Sequence, residues 1–146
     1  WPSKEHLLLA ALEHLAEPAP DDFDPTDLRG CLIGMTAQVI DMFIGPKALV
    51  LPRVLIEAPQ YPPHFDDTVQ SIVRARFGTV RVVIEAAAGR GELPARIPPD
   101  LIIDAIMGRV ISLLVLTPGA RRATINAERT RYAESITDYV LAAIAT

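Results

Sequence analysis

Trp1-Pro2-Ser3-Lys4-Glu5-His6-Leu7-Leu8-Leu9-Ala10-Ala11-Leu12-Glu13-His14-Leu15 opens the chain, and its pattern is that of a capped amphipathic helix. Ser3 carries an oxygen that can accept from a first-turn backbone N–H, and Glu5 puts negative charge where the helix dipole favours it. Leu8, Leu12 and Leu15 recur at helical spacing and share one face. The spacing predicts a helix from Lys4 to Ala16. The next stretch, Glu17 to Thr26, holds four acidic residues and three prolines and reads as a loop.

The same alternation of helix and breaker runs to the end of the chain, with 13 prolines grouped between periodic segments. A second helix is expected from about Asp27 to Ile44. Leu28, Leu32, Met35, Val39 and Met42 form one stripe, and Ile33, Ala37, Ile40 and Ile44 form another. A helix apolar on two sides is expected to be buried on two sides. Gly45-Pro46 stops it. Lys47 to Ala58 is a shorter helix that Pro52 starts or kinks. The longest helix is expected from Pro63 to Ala88, carried by Phe65, Val69, Ile72, Phe77, Val80, Ile84 and Ala87. Gly78 in its middle costs about 1 kcal/mol relative to Ala. After Gly89-Arg90-Gly91, Pro98-Pro99-Asp100 opens a helix to about Thr117 that is apolar nearly all round. Thr117-Pro118-Gly119 closes it, Arg121-Arg122 reads as a loop, and a last helix runs from about Asn126 to Ala145. No Asn-Gly or Asp-Gly hairpin turn occurs and no period-2 alternation is sustained. The expectation is one all-α domain over residues 1–146, with six helices.

Composition narrows the function. Half the residues are apolar and 5% aromatic, so aliphatic side chains fill the core. A net charge of −4 without a basic block argues against nucleic-acid binding by these residues themselves. The single Cys31 cannot form an internal disulfide, and no signal peptide is legible. Leu101 to Leu116 is interrupted by Asp104 and Arg109 and is short for a bilayer, so the expected location is the cytoplasm and not a membrane.

Candidate chemistry is sparse. His6, His14 and His64 do not pair with each other or with Cys31 at metal-ligand spacing, so neither a metal nor a cofactor is expected. Cys31 lies among Leu28, Leu32 and Met35, as a packing thiol does, rather than in a nucleophile's setting. Asp21-Asp22-Phe23-Asp24 lacks the Gly and downstream Glu of a calcium loop. An enzyme using His64 with Asp66 or Asp67 stands as a third-ranked alternative. Gln38 and Arg74, the polar groups nearest the apolar stripes, fall toward solvent.

Three parts of the chain carry a resemblance. Trp1-Pro2-Ser3-Lys4-Glu5 followed by Leu resembles the exit from the helix-turn-helix of TetR-family transcription regulators. Ala87-Ala88-Gly89-Arg90-Gly91-Glu92-Leu93, then Pro98-Pro99-Asp100-Leu101 and Met107-Gly108, is similar to a junction frequent in that family. The terminal pair of helices corresponds to its dimer interface. The resemblance implies the regulatory half of a ligand-responsive regulator, expected to be a repressor and not an enzyme. The DNA-binding helix-turn-helix would precede Trp1, and residues 1–16 would be the connecting helix. The implied partners are a second copy of the chain, a small apolar or amphipathic effector, and operator DNA reached through that other half. Lys4 is placed by the resemblance against the DNA backbone; the alternative is a solvated first-turn lysine.

The resemblance also implies a pocket enclosed by the first five helices. Its candidate lining is Leu8, Leu12, Met35, Val39, Met42, Leu55, Phe77, Val80, Met107 and Ile111, the methionines being flexible and polarizable enough to adapt to a ligand. Each of these residues also fits ordinary core. For the dimer, Ala105, Gly108 and Ser112 permit close helix approach, and Tyr132, Ile136, Val140 and Ile144 supply the last helix's stripe. Two such helices from each chain would form a four-helix bundle. The alternative is that the stripe caps the chain's own core. A helical dimerisation or interaction module without a ligand is the competing function.

Overall fold

The computed structural model describes residues 6, 7, 10, 24–44, 50–57, 60 and 63–145, with the backbone alone at 50, 51, 55, 63, 64, 119 and 120. Among these the chain forms seven helices and no strand: α1 (Leu28–Ile44), α2 (Val50–Glu57), α3 (Pro63–Arg76), α4 (Gly78–Gly89), α5 (Pro99–Val115), α6 (Gly119–Ala127) and α7 (Arg129–Ile144). The expected helix over Lys4–Ala16, with Lys4, Leu8 and Leu12, lies outside the described residues apart from His6, Leu7 and Ala10.

α1 is the hub. It packs most extensively on α7, and also on α5, α4 and α2. Its two apolar stripes make this possible. Leu28, Leu32, Met35 and Val39 are buried from one, Ile40 from the other, and Phe43 closes the far end. Asp27 starts the helix: Gly30 N–H donates to Asp27 Oδ1 at 2.8 Å, and Cys31 N–H to the Asp27 carbonyl at 3.0 Å. A Cβ on Gly30 would come within 2.1 Å of Asp27 Oδ2, so glycine there gives the capping carboxylate its room.

Thr36 and Thr137 are the buried polar side chains of the α1–α7 seam. Thr36 Oγ1 donates to the Leu32 carbonyl at 2.7 Å and lies 3.1 Å from Thr137 Oγ1. At the seam's edges Arg29 grips Asp138 with two bonds of 2.8 and 2.9 Å, and Arg129 Nη1 reaches Asp41 at 2.8 Å.

Three boundaries differ from the sequence expectation. The long helix is two, because the backbone turns at Phe77 (φ −99°, ψ 5°) just before Gly78. The cost of glycine in a helix interior is avoided by ending one helix there and starting the next. Arg81 spans the break, donating to the Arg74 carbonyl at 3.2 Å and to Asp100 at the start of α5. Second, Arg121-Arg122 belongs to a helix, α6, rather than a loop. Arginine is a good helix former, Ile125 anchors the segment in the core, and Arg122 Nη2 donates to the Leu114 carbonyl near the end of α5 at 3.2 Å. Third, α7 consequently starts at Arg129, after a turn at Glu128.

The junction after α4 forms as its sequence suggests. Glu92 N–H donates to the Ala87 carbonyl and Gly91 N–H to that of Ala88, both at 3.0 Å, with Gly91 at φ +79°. This is the paired closure of a helix end that a left-handed residue permits. It folds Leu93 into the core, and Pro98-Pro99 then opens α5, with proline in the first turn where its missing N–H costs nothing.

Candidate functional site

Between the helices lies a cavity of about 180 Å³. Met42 and Phe43 come to it from the end of α1, and Pro52 and Ile56 from α2. Val73, Arg76 and Phe77 come from the α3–α4 break, and Met107, Ile111 and Val115 from α5. The helix break therefore places Phe77 at the wall. Arg76 contributes its aliphatic stem, and among the described residues no polar atom of the lining faces the space. Burial pushes the Arg76 guanidinium below its ordinary pKa. Phe43 and Phe77 are buried at the back, while Ile56, Ile111 and Val115 are exposed and form the rim.

Of the residues expected to line a pocket, Met42, Phe77, Met107 and Ile111 are brought together here. Met35, Val39 and Val80 are not: they are packed into the solid core, at no more than 2% exposure. Leu8, Leu12 and the side chain of Leu55 lie outside the described residues. Sequence reasoning missed Phe43, Pro52, Ile56, Val73, Arg76 and Val115. Two of these were within reach: Val73 is four residues before Phe77, and Val115 four after Ile111, so each shares a helix face with a residue that was found.

A larger recess of about 400 Å³ lies beside the start of α1, lined in part by Thr26, Asp27, Arg29, Glu92 and Leu93. Its charged groups are engaged elsewhere. Asp27 caps α1, Arg29 holds Asp138, and Glu92 pairs with Arg90, which keeps the Glu92 carboxyl below its ordinary pKa. It offers a ligand little that is unspent, and the apolar cavity is the better candidate.

The surface residues divide differently from expectation. Ala105, Gly108 and Ser112 are exposed on α5, with Leu101 before them (57% exposed) and Leu116 beyond the helix (78%). On α7 the expected stripe is corrected. Ile136 and Val140 are buried in the chain's own core, and Tyr132 and Ile144 pack against it. The broad seam with α1 claims that face. The outward face of α7 carries instead Ser135, Tyr139 (69% exposed) and Ala142, one position along from two of the expected residues.

No group of three or more His, Cys, Asp or Glu able to hold a metal occurs among the described residues. Cys31 is buried, and loss of hydration pushes its thiol up to about 11, as befits packing. The side chain of His64 lies outside the described residues, so the His64–Asp66 or His64–Asp67 pairing has no geometry to support it. No helix among the described residues is long and apolar enough to cross a membrane.

The described residues form an all-helical domain built round one central helix, with an apolar chamber between helices, a place where small-molecule pockets commonly occur. Residues 23–139 match the family model of the tetracyclin repressor-like C-terminal domain, and the chain belongs to this family. The family is one of ligand-responsive transcriptional regulators, generally without enzymatic activity. No curated protein and no solved structure matches the chain.

Proposed function

We propose that this chain is the effector-binding and dimerising part of a cytoplasmic transcription regulator, a repressor in its intact form. The observation that carries the reading is the apolar cavity between α1, α2, α5 and the α3–α4 break of a domain in this family. A well-packed interior would have favoured an interaction module that senses nothing. An effector seated among these four elements touches α1, the hub, and α5, which packs directly against it. It can act only by preferring one packing arrangement over another. Two recognition helices must match half-sites about one DNA turn apart. A small change in the helix that carries the DNA-binding half then weakens operator binding.

The dimer surface is the exposed face of α5 together with that of α7. Leu101, Ala105, Gly108 and Ser112 recur at the spacing of a helix–helix seam, with Tyr139 on the neighbouring helix. Small residues along the seam let two copies of α5 approach closely, and the two α7 helices flank them in a four-helix arrangement. Left uncovered, this apolar strip would be a liability in water. Lys4 contacting the DNA backbone would position the protein without reading sequence.

The test has two arms. Sedimentation of the chain is expected to show a dimer that Gly108→Arg converts to monomer. A gel-shift titration of the full-length regulator on DNA flanking its own gene is expected to show one salt-sensitive site. A monomeric chain, or a folded dimer of the intact protein that shifts no such DNA at low salt, would overturn the reading.

A further inference from the structure

We infer that the cavity selects a small uncharged hydrocarbon-like molecule, about the size of a substituted benzene, and discriminates against ions that carry the same ring. This rests on the cavity being the effector site. Three observations point the same way.

The first is size. A dry cavity of about 150 Å³ accommodates benzene, and drug-sized ligands need about 300 Å³ or more. The chamber here, at about 180 Å³, admits a single ring with one or two small substituents. The second is the chemistry of the wall. Among the described residues every atom facing the space is apolar, including the stem of Arg76. A carboxylate or ammonium drawn inside would lose its water and gain no hydrogen bond from the lining. Among the described residues the rim is apolar as well, with Ile56, Ile111 and Val115 exposed at the mouth. The third is the kind of apolar surface. Two thioethers, Met42 and Met107, face the same space as the rings of Phe43 and Phe77. Sulfur and ring edges both make favourable contacts with an aromatic guest, and flexible methionines adjust to its substituents.

Calorimetric titration of the full chain with toluene, benzoate and benzylammonium tests this, since the three share a ring and differ in charge. Toluene is expected to bind saturably, at least about tenfold more tightly than either ion, as expected when a charge is desolvated without a partner. Benzoate binding as tightly as toluene, with benzylammonium weak, would overturn the inference. The Arg76 guanidinium would then be reaching the ligand, and the cavity would remain the effector site. If none of the three binds, the effector-site reading itself fails and the inference falls with it. Ile111→Trp is expected to fill the chamber and abolish toluene binding without strain, because Ile111 is 40% exposed. Val115→Trp serves if circular dichroism shows that variant misfolded. Undiminished toluene binding in a folded filling variant would place the ligand elsewhere and refute the assignment.

Discussion

The α1–α7 seam carries a buried polar pair whose donor order can be deduced, and that order makes an asymmetric prediction. A hydroxyl has one proton. Thr36 spends its proton on the Leu32 carbonyl at 2.7 Å, so across the 3.1 Å contact Thr137 must donate and Thr36 accept. Both side chains are fully buried. Thr36→Val removes the acceptor and leaves the Thr137 hydroxyl without a partner in the core, which costs about 1–3 kcal/mol. Thr137→Val removes a donor but leaves Thr36 bonded to Leu32, so about 1 kcal/mol or less is lost. Valine in both places replaces the pair with apolar groups of the same shape and is expected to cost no more than Thr36→Val alone. The cycle should then show a coupling of about 1–2 kcal/mol, with the double variant more stable than the sum of the singles. Urea unfolding by far-UV circular dichroism measures all four proteins at one concentration, since association would add to apparent stability. Equal costs for the two single variants, adding without coupling, would show that Thr137 finds another acceptor and would refute the donor order.

Other consequences are simpler to check. Gly91→Ala forces a Cβ into the left-handed conformation at φ +79° and should cost about 1–2 kcal/mol. At Gly78 a Cβ meets nothing within 4 Å, so Gly78→Ala should gain about 0.4–1 kcal/mol through the unfolded chain; thermal melts of both variants separate the two cases. Cys31, buried and with its thiol raised to about 11, should resist alkylation by iodoacetamide near neutral pH in the folded chain and react once urea unfolds it. Modification of the native protein at the unfolded rate would contradict its burial. Arg29 holds the Asp138 carboxyl below its ordinary 3.8 through a hydrogen bond. A depressed carboxylate contributes stability above its unfolded pKa, and the contribution is lost as pH falls through the folded value. The urea midpoint should therefore decline below about pH 4, less steeply in Asp138→Asn, and the difference should shrink with added salt. Parallel acid limbs for the two proteins would remove Asp138 from the explanation.

How much of this was legible in the sequence depends on what each residue pattern determines. The two stripes of Asp27–Ile44 correctly announced a helix buried on two sides, because period and width of an apolar face follow directly from side-chain spacing. The Gly89-Arg90-Gly91 stop was legible because a left-handed glycine closing a helix has few alternatives. The break at Phe77 was harder. Gly78 marked a weak point, but whether a helix bends there depends on tertiary contacts such as Arg81 reaching both Arg74 and Asp100. The cavity was half legible for the same reason. Met42, Phe77, Met107 and Ile111 announce apolar faces, whereas a gap between faces depends on how helices from distant parts of the chain approach. Met35, Val39 and Val80 have the same sequence character and fill the core without a gap. On the last helix, Ile136 and Val140 form a stripe that looks alike whether it meets the chain's own α1 or a partner's helix. The pairing of Thr36 with Thr137 and of Arg29 with Asp138 binds that face inward, and neither pairing is readable along a single strand of text.

The proposed effector site can be tested with the chain's own three methionines, because they fall on the two sides of the cavity's boundary. Met42 and Met107 line the cavity, while Met35 is buried in the solid core at 1% exposure. With ¹³C-labelled methionine methyls, a toluene titration followed by NMR is expected to move the Met42 and Met107 signals together along one saturating curve and to leave Met35 nearly still. Met42 and Met107 signals that stay in place, or a Met35 signal that moves as far as theirs, would contradict the cavity as the place where the effector binds.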